Sequence, residues 1–133
     1  MEKNIFTAKA NLREGFKVVS SSTHKEDYEM FIESEKDGPM DLFTVAFSGC
    51  ILMCAKGYFV RTYNRKDIGI DLDLDVDYDN KKCVTKIVVD YPGFTEEDRV
   101  GILENIKLRC KISHLLSDEV ERVYEIVKKQ ENR

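Results

Sequence analysis

The chain has 133 residues, a length that suits a single domain, 1–133, with its own hydrophobic core. Its 21 basic and 25 acidic residues leave a formal net charge of -4, and it has no basic stripe with interleaved aromatic residues, so nucleic-acid binding is not expected. The stretch MEKNIFTAKANLREGF lacks the apolar core of a secretory signal peptide, which predicts a cytoplasmic protein, where structural disulfides are uncommon.

Three strands are predicted before the first helix. The stretches NIFTAKANL (4–12) and FKVVSSS (16–22) alternate apolar and polar side chains, and REG between them predicts a hairpin turn. The stretch DYEMFIESE (27–35) alternates again and predicts a third strand.

The segment DLFTVAFSGCILMCAKGYFV (41–60) predicts a long helix, with Pro39 in its first turn. Thr44, Ser48 and Lys56 interrupt its apolar run, which favours a buried helix over a membrane span. Apolar side chains occur on nearly every face, as is typical of a helix buried on all sides. Because so small a domain rarely surrounds one helix completely, we expect a homodimer in which a second copy supplies the missing cover.

The second half predicts a hairpin, two helices and a closing strand. The stretch IGIDLDLDVDYDN (68–80) alternates strictly, so its aspartates are interpreted as the solvated face of a strand rather than a calcium site. The stretch CVTKIVVDY (83–91) predicts the returning strand, and Thr95 predicts the cap of the next helix. A short helix after Cys110 and a strand in VERVYEIVKK (120–129) complete the order βββαββααβ. This order predicts an α+β fold, with a curved antiparallel sheet packed around the long central helix.

Four cysteines raise the question of thiol chemistry. Cys50 and Cys54 share a helix face, but no further ligands follow at metal-binding spacing, so no metal site is expected. Cys54 and Cys83 are interpreted as packing residues, since cysteine often packs as a small hydrophobe. Cys50 follows two small residues and Cys110 falls at a helix junction, which makes both candidates for accessible thiols. The residues alone leave open whether either thiol reacts.

Two motifs resemble those of the OsmC/Ohr family of thiol-dependent hydroperoxidases. The stretch GPMDLFTVAFSGCILM resembles the signature helix of the family, and RCKISHLL resembles its second cysteine motif. The two cysteines are separated by 60 residues (110 − 50), which is comparable with the family. The resemblance implies the OsmC-like fold and an intertwined homodimer with active sites at the subunit interface.

The resemblance also implies roles for particular residues. Cys50 would attack an organic hydroperoxide and become a sulfenic acid, and Cys110 would resolve it as a disulfide. Arg13, in the first hairpin turn, would stabilise the Cys50 thiolate and orient the peroxide. No bound cofactor is implied. An external dithiol, by family analogy a lipoylated protein, would regenerate the thiols.

Three features depart from the family pattern. The hydroperoxidases of the family carry, directly after the proline, a glutamate that holds the arginine. Here Met40 has that position and the carboxylate follows at Asp41, which is therefore a candidate substrate-binding residue. Lys111 stands where the family often has proline, and Cys54 lies one helical turn from Cys50 as a possible competing thiol.

Two other functions are compatible with these residues. The first is a non-enzymatic redox sensor or small-molecule-binding protein that reuses the fold and the dimer pocket. The second is a different thiol chemistry, directed at a sulfur-containing or electrophilic metabolite. A likeness of fold does not by itself decide among them.

Overall fold

The structure, a computed structural model, describes residues 5–130. The chain divides into two compact units, residues 1–43 and 44–133. The elements are β1 (Lys9–Leu12), a short 3-10 helix (Glu14–Phe16), β2 (Val18–Ser21), β3 (Asp27–Met30), α1 (Pro39–Tyr63), β4 (Gly69–Asp77), β5 (Lys82–Asp90), α2 (Glu96–Arg109), α3 (Lys111–Leu115) and β6 (Glu121–Lys128). The predicted order is confirmed, as is the α+β class.

The first unit contains a three-stranded antiparallel sheet in the order β1-β2-β3. The predicted hairpin turn is confirmed, and within it Gly15 has φ 67° and Phe16 has φ 65°, both in the left-handed region. β3 ends earlier than predicted because the Phe31 amide donates to the Asp37 carbonyl at 2.9 Å, which turns the chain back on itself. The predicted first strand begins at Asn4, which lies outside the described residues.

Helix α1 begins at Pro39, as predicted, and buries one stripe of side chains. The buried positions are four residues apart: Phe47, Ile51, Ala55 and Phe59. Val45 and Met53, on other faces, are 64% and 78% exposed. The expectation of a helix buried on all sides is therefore not met within a single chain. By length and composition alone α1 could cross a membrane, a test that the core helix of a soluble protein also passes.

The second unit contains a sheet in the order β4-β5-β6. β4 and β5 form the predicted antiparallel hairpin, and the aspartates of β4 lie on its exposed face. The fold prediction is wrong in one respect, because β6 runs parallel to β5. The reason is the connection: α2 and α3 lie between these strands, and a helical crossover of this kind joins parallel strands.

Helix α2 is fixed at its start to α1. Thr95 forms a capping box with Asp98, as predicted for the helix cap. The buried Asp98 carboxylate also accepts hydrogen bonds from the hydroxyls of Tyr58 and Tyr63, at 2.7 and 2.6 Å. Gly101 faces the Tyr58 ring, which occupies the space that a side chain would need. The first turns of α2 are thereby held against the end of α1, and the last turn of α2 leads to Cys110.

Candidate functional site: a cluster of three thiols

Cys50 and Cys110 lie side by side in the second unit. The Cys110 thiol donates a hydrogen bond to the Cys50 sulfur, with 3.3 Å between the two Sγ atoms. Cys50, on α1, is half-buried, and Cys110, between α2 and α3, is buried. The fold thus brings together the two cysteines that the sequence singled out, although 60 residues separate them in the chain.

Cys54 is the third member of this group. It is half-buried and lies one helical turn from Cys50, close enough that a negative charge on Cys50 raises the pKa of the Cys54 thiol. The interpretation of Cys54 as a packing residue is therefore incomplete, because its sulfur interacts electrostatically with that of Cys50. We call Cys50, Cys54 and Cys110 the thiol cluster. Its central sulfur is that of Cys50, which interacts with both of the other two.

The surroundings keep both neighbours of Cys50 protonated. Burial raises the pKa of the Cys110 thiol to about 12; the nearby Ser113 amide opposes this shift, and the contact with Cys50 adds to it. Burial and the negative charge of a Cys50 thiolate also raise the pKa of Cys54. At neutral pH both side chains are therefore S–H groups, and that of Cys110 donates to the sulfur of Cys50.

Two arginines approach the thiol cluster from the side of Cys54. The Asn105 amide nitrogen donates to the Cys54 carbonyl at 2.6 Å, which leaves its Oδ1 to accept other hydrogen bonds. That oxygen accepts from Arg61 Nη1 at 3.2 Å and from Arg109 Nε at 3.0 Å. Both cations lower the pKa of Cys54, against the larger effect of burial. We call Arg61 and Arg109 the arginine pair.

The sequence reasoning missed the arginine pair, although a signal was present. Cys54, Gly57 and Arg61 follow one another at spacings of three and four, so they share one face of α1. Asn105 and Arg109 are likewise four apart, immediately before Cys110. Arginine and asparagine residues at helical spacing from the cysteines could have indicated a polar face beside the thiols.

The small residues before Cys50 leave open space on α1, as the sequence suggested. A Cβ added at Gly49 would meet no atom within 4 Å. The Ser48 hydroxyl donates to the Val45 carbonyl at 2.7 Å, so it points back along the helix. A small molecule or a second chain could approach α1 at Gly49.

The two other predicted site residues belong to the first unit. Arg13 is exposed and precedes the 3-10 helix, and its backbone amide donates to the Lys17 carbonyl at 2.5 Å. Asp41 accepts a hydrogen bond from the Gly38 amide at 2.8 Å and so stabilises the start of α1. The activating role of Arg13 and the substrate-binding role of Asp41 stay predictions.

The fourth cysteine is separate from the thiol cluster. Cys83 is buried in β5, which agrees with a packing role, and burial raises the pKa of its thiol. It is paired across the sheet with Arg122 of β6, whose Nη2 donates to the Ser113 carbonyl at 2.9 Å. This contact ties α3 to the sheet and supports the helix junction where Cys110 lies.

Comparisons with known proteins agree with this architecture. No protein-family model matches the sequence, and no curated protein matches it. Among solved structures, an OsmC like protein from Mycoplasma pneumoniae has a TM-score of 0.73 at 11% identity, covering 98% of this chain and 100% of that one. The organic hydroperoxide resistance protein OsmC of Legionella pneumophila has a TM-score of 0.62 at 10% identity, with 98% and 100% covered. The organic hydroperoxide resistance protein OhrB of Bacillus subtilis has a TM-score of 0.54 at 17% identity, with 90% and 97% covered.

These matches define the chain as a protein with the OsmC-like fold. The family resemblance read from the two cysteine motifs is confirmed at the level of the fold, over nearly the whole chain.

Proposed function

We propose that the protein is a thiol-dependent peroxidase of the OsmC/Ohr family that reduces organic hydroperoxides. The observation that carries this proposal is the 3.3 Å contact between the sulfurs of Cys50 and Cys110. A disulfide has an S–S length of about 2.0 Å, so the two sulfurs need to approach by only about 1 Å to form one. The names of the Legionella and Bacillus proteins, which refer to organic hydroperoxide resistance, agree with this chemistry.

In the proposed reaction Cys50 reacts first and Cys110 second. The Cys50 thiolate attacks the distal oxygen of the hydroperoxide, the O–O bond breaks, and the alkoxide leaves as an alcohol after taking a proton. Cys50 then carries a sulfenic acid. The Cys110 thiol condenses with it, a disulfide forms, and water carries away the sulfenic oxygen and the proton of the thiol. Because Cys110 is already in contact, this step has the advantage of an intramolecular reaction.

Cys110, and not Cys54, is the resolving thiol in this proposal. Residues four apart on a helix have Cβ atoms about 5–6 Å apart, whereas a disulfide needs about 3.5–4.5 Å. Cys54 could bridge to Cys50 only by distorting α1. Cys110 comes from a different element and has no such restriction.

We further propose that the protein is a cytoplasmic homodimer, with no bound cofactor and no membrane association. The exposed Val45 and Met53 of α1 are apolar surface that a second copy would cover. Arg13 would activate Cys50 and Asp41 would contact substrate, both as the family resemblance implies. An external dithiol, by the same analogy a lipoylated protein, would reduce the disulfide through a mixed disulfide.

A steady-state assay with cumene hydroperoxide and a small dithiol tests the reaction. We expect Cys50→Ser to abolish turnover and Cys110→Ser to accumulate sulfinic or sulfonic acid on Cys50, seen by peptide mass spectrometry. Cys83→Ser, which removes a thiol outside the cluster, is the matched control and should keep its activity. Full activity in Cys50→Ser would refute the proposal. Negligible turnover with reversible Cys50–Cys110 oxidation would instead indicate a redox sensor.

A further inference from the structure

The arginine pair lacks carboxylate partners within the described part of the chain. Both guanidinium groups donate to the Asn105 amide oxygen, and no ion pair at 4.0 Å or less joins either of them to an acidic side chain of residues 5–130. Other arginines in this unit are paired: Arg65 with Asp67, and Arg99 with Glu96. Two like charges that converge on one neutral oxygen repel each other, so an anion placed between them would be favoured.

The local sequence holds the arginine pair in this arrangement. Asn105 uses its amide nitrogen on the Cys54 carbonyl, so its oxygen remains for the two guanidinium groups. Gly57 leaves room for Arg61 to fold back, since a Cβ there would lie 3.1 Å from Arg61 Nη1 and 3.3 Å from Asn105 Nδ2. Each guanidinium has further N–H donors in a planar fork that matches the two oxygens of a carboxylate.

We propose that Arg61 and Arg109 form a carboxylate-binding subsite beside Cys54 and Cys50. The Asn105 link fixes this subsite beside the backbone of Cys54, which itself lies about one helical turn from Cys50. A small molecule with its carboxylate on the arginine pair would have its reactive group at the thiol cluster. The carboxylate belongs either to an oxidising substrate or to the dithiol reductant. Assignment to either one rests on the proposed peroxidase function, whereas the existence of the subsite does not.

Alkylation by two reagents of nearly equal shape tests the subsite without turnover. Iodoacetate carries a carboxylate and iodoacetamide a neutral amide, and both transfer their carbon to a thiolate with loss of iodide. The ratio of their rates at Cys50 and Cys54, measured by peptide mass spectrometry, cancels changes in thiolate fraction. We expect Arg61→Gln and Arg109→Gln each to lower the iodoacetate-to-iodoacetamide ratio about two- to fivefold, as for an exposed ion pair.

Lys107→Gln is the matched control, because it removes one positive charge from the same helix two residues from Arg109. Its ratio should stay at the level of the unmodified protein. An unchanged ratio in both arginine variants, or an equal fall in Lys107→Gln, would overturn the subsite. The first result would mean that the arginines bind no carboxylate, and the second that only net charge matters.

Two further pairs of compounds identify the source of the carboxylate in the active enzyme. One pair is a fatty-acid hydroperoxide and its methyl ester, and the other is dihydrolipoate and dihydrolipoamide. If the arginine variants lose kcat/KM only for the acid of the first pair, the carboxylate belongs to the oxidant. A loss only for the acid of the second pair assigns it to the reductant. No loss for either acid in an active enzyme would overturn the role in turnover. If the unmodified protein has no peroxidase activity but the arginine variants still show the expected fall in the alkylation ratio, the peroxidase is refuted and the subsite stands.

Discussion

Oxidation of the Cys50–Cys110 pair should stabilise the fold, and the size of the effect follows from the chain. One equivalent of an organic hydroperoxide is expected to join the two sulfurs, which lie 3.3 Å apart, and to close a loop of 60 residues. In the chain-entropy treatment, closing a loop of this length lowers the entropy of the unfolded state by an amount worth about 4 kcal/mol. The sulfurs move by only about 1 Å, so little of this gain should be offset by strain in the folded state.

Urea unfolding of the reduced and oxidised protein measures this effect. With a slope of about 2 kcal/mol/M, a gain of about 4 kcal/mol raises the midpoint by roughly 2 M. Dithiothreitol should reverse the shift, and Cys110→Ser treated with the same peroxide should show none. Cys54→Ser should keep the full shift, because Cys54 is outside the expected disulfide.

Two results would refute this reasoning. A disulfide that joins Cys50 to Cys54, identified in a non-reduced peptide digest, would show that the contact with Cys110 does not determine the partner. A correct Cys50–Cys110 disulfide without a rise in the midpoint would show that loop closure does not control stability here. Either result is obtained from the same sample by mass spectrometry and denaturation.

Three further changes test the packing and the electrostatics of the second unit. Gly101→Ala should cost about 1–3 kcal/mol because its Cβ would overlap the Tyr58 ring, whereas Gly49→Ala meets no atom of its own chain and should be destabilising only where a second copy packs on it; urea unfolding measures both. Asp98→Asn should cost about 2–4 kcal/mol, since a buried carboxylate that accepts several hydrogen bonds is lost. Cys110 should resist alkylation at pH 8 and react faster as the pH rises towards about 12, because burial raises its pKa; timed labelling follows this.

The control for Asp98→Asn is Glu97→Gln, an exposed change in the same helical turn that should be nearly neutral. Burial opposes ionisation of Asp98, but hydrogen bonds from Tyr63, Tyr58 and Thr95 outweigh it and lower its pKa. Its contribution to stability is therefore present above the ordinary carboxyl pKa and lost as the pH falls through the folded-state pKa. If Asp98→Asn loses as much folding stability at low pH as the unmodified protein does, this account is contradicted. A destabilising Gly49→Ala would indicate that another chain packs at Gly49.

Much of the fold was predictable because its local signals are strong. Strict alternation marked β4, and Thr95 with three acidic residues marked the start of α2. The early end of β3 was not predictable, because a backbone hydrogen bond from Phe31 stops the strand while apolar alternation continues in the sequence. The direction of β6 was missed because pairing between strands depends on the path of α2 and α3 and leaves no mark on the strand itself.

The candidate site was predictable in part for a similar reason. Cys50 and Cys110 carry recognisable motifs, so their pairing could be expected before any geometry was known. The closeness of Cys54 to Cys50 follows from helical spacing alone, yet a half-buried thiol and a plain packing residue have the same sequence pattern. The arginine pair requires α1 and α2 to meet in one register, which depends on Asn105 reaching the Cys54 backbone.

The three thiols are chemically distinct although they lie together. Cys110 approaches Cys50 from another element, so it can change from hydrogen-bond donor to disulfide partner with a small movement. Cys54 is held one turn away on the same helix, so it cannot bridge to Cys50 without distorting α1. Because Asn105 connects the backbone of Cys54 to the arginine pair, any change in α1 at Cys54 also moves the proposed carboxylate subsite. A disulfide that left α1 undistorted would therefore preserve the subsite, whereas one formed with Cys54 would disturb it.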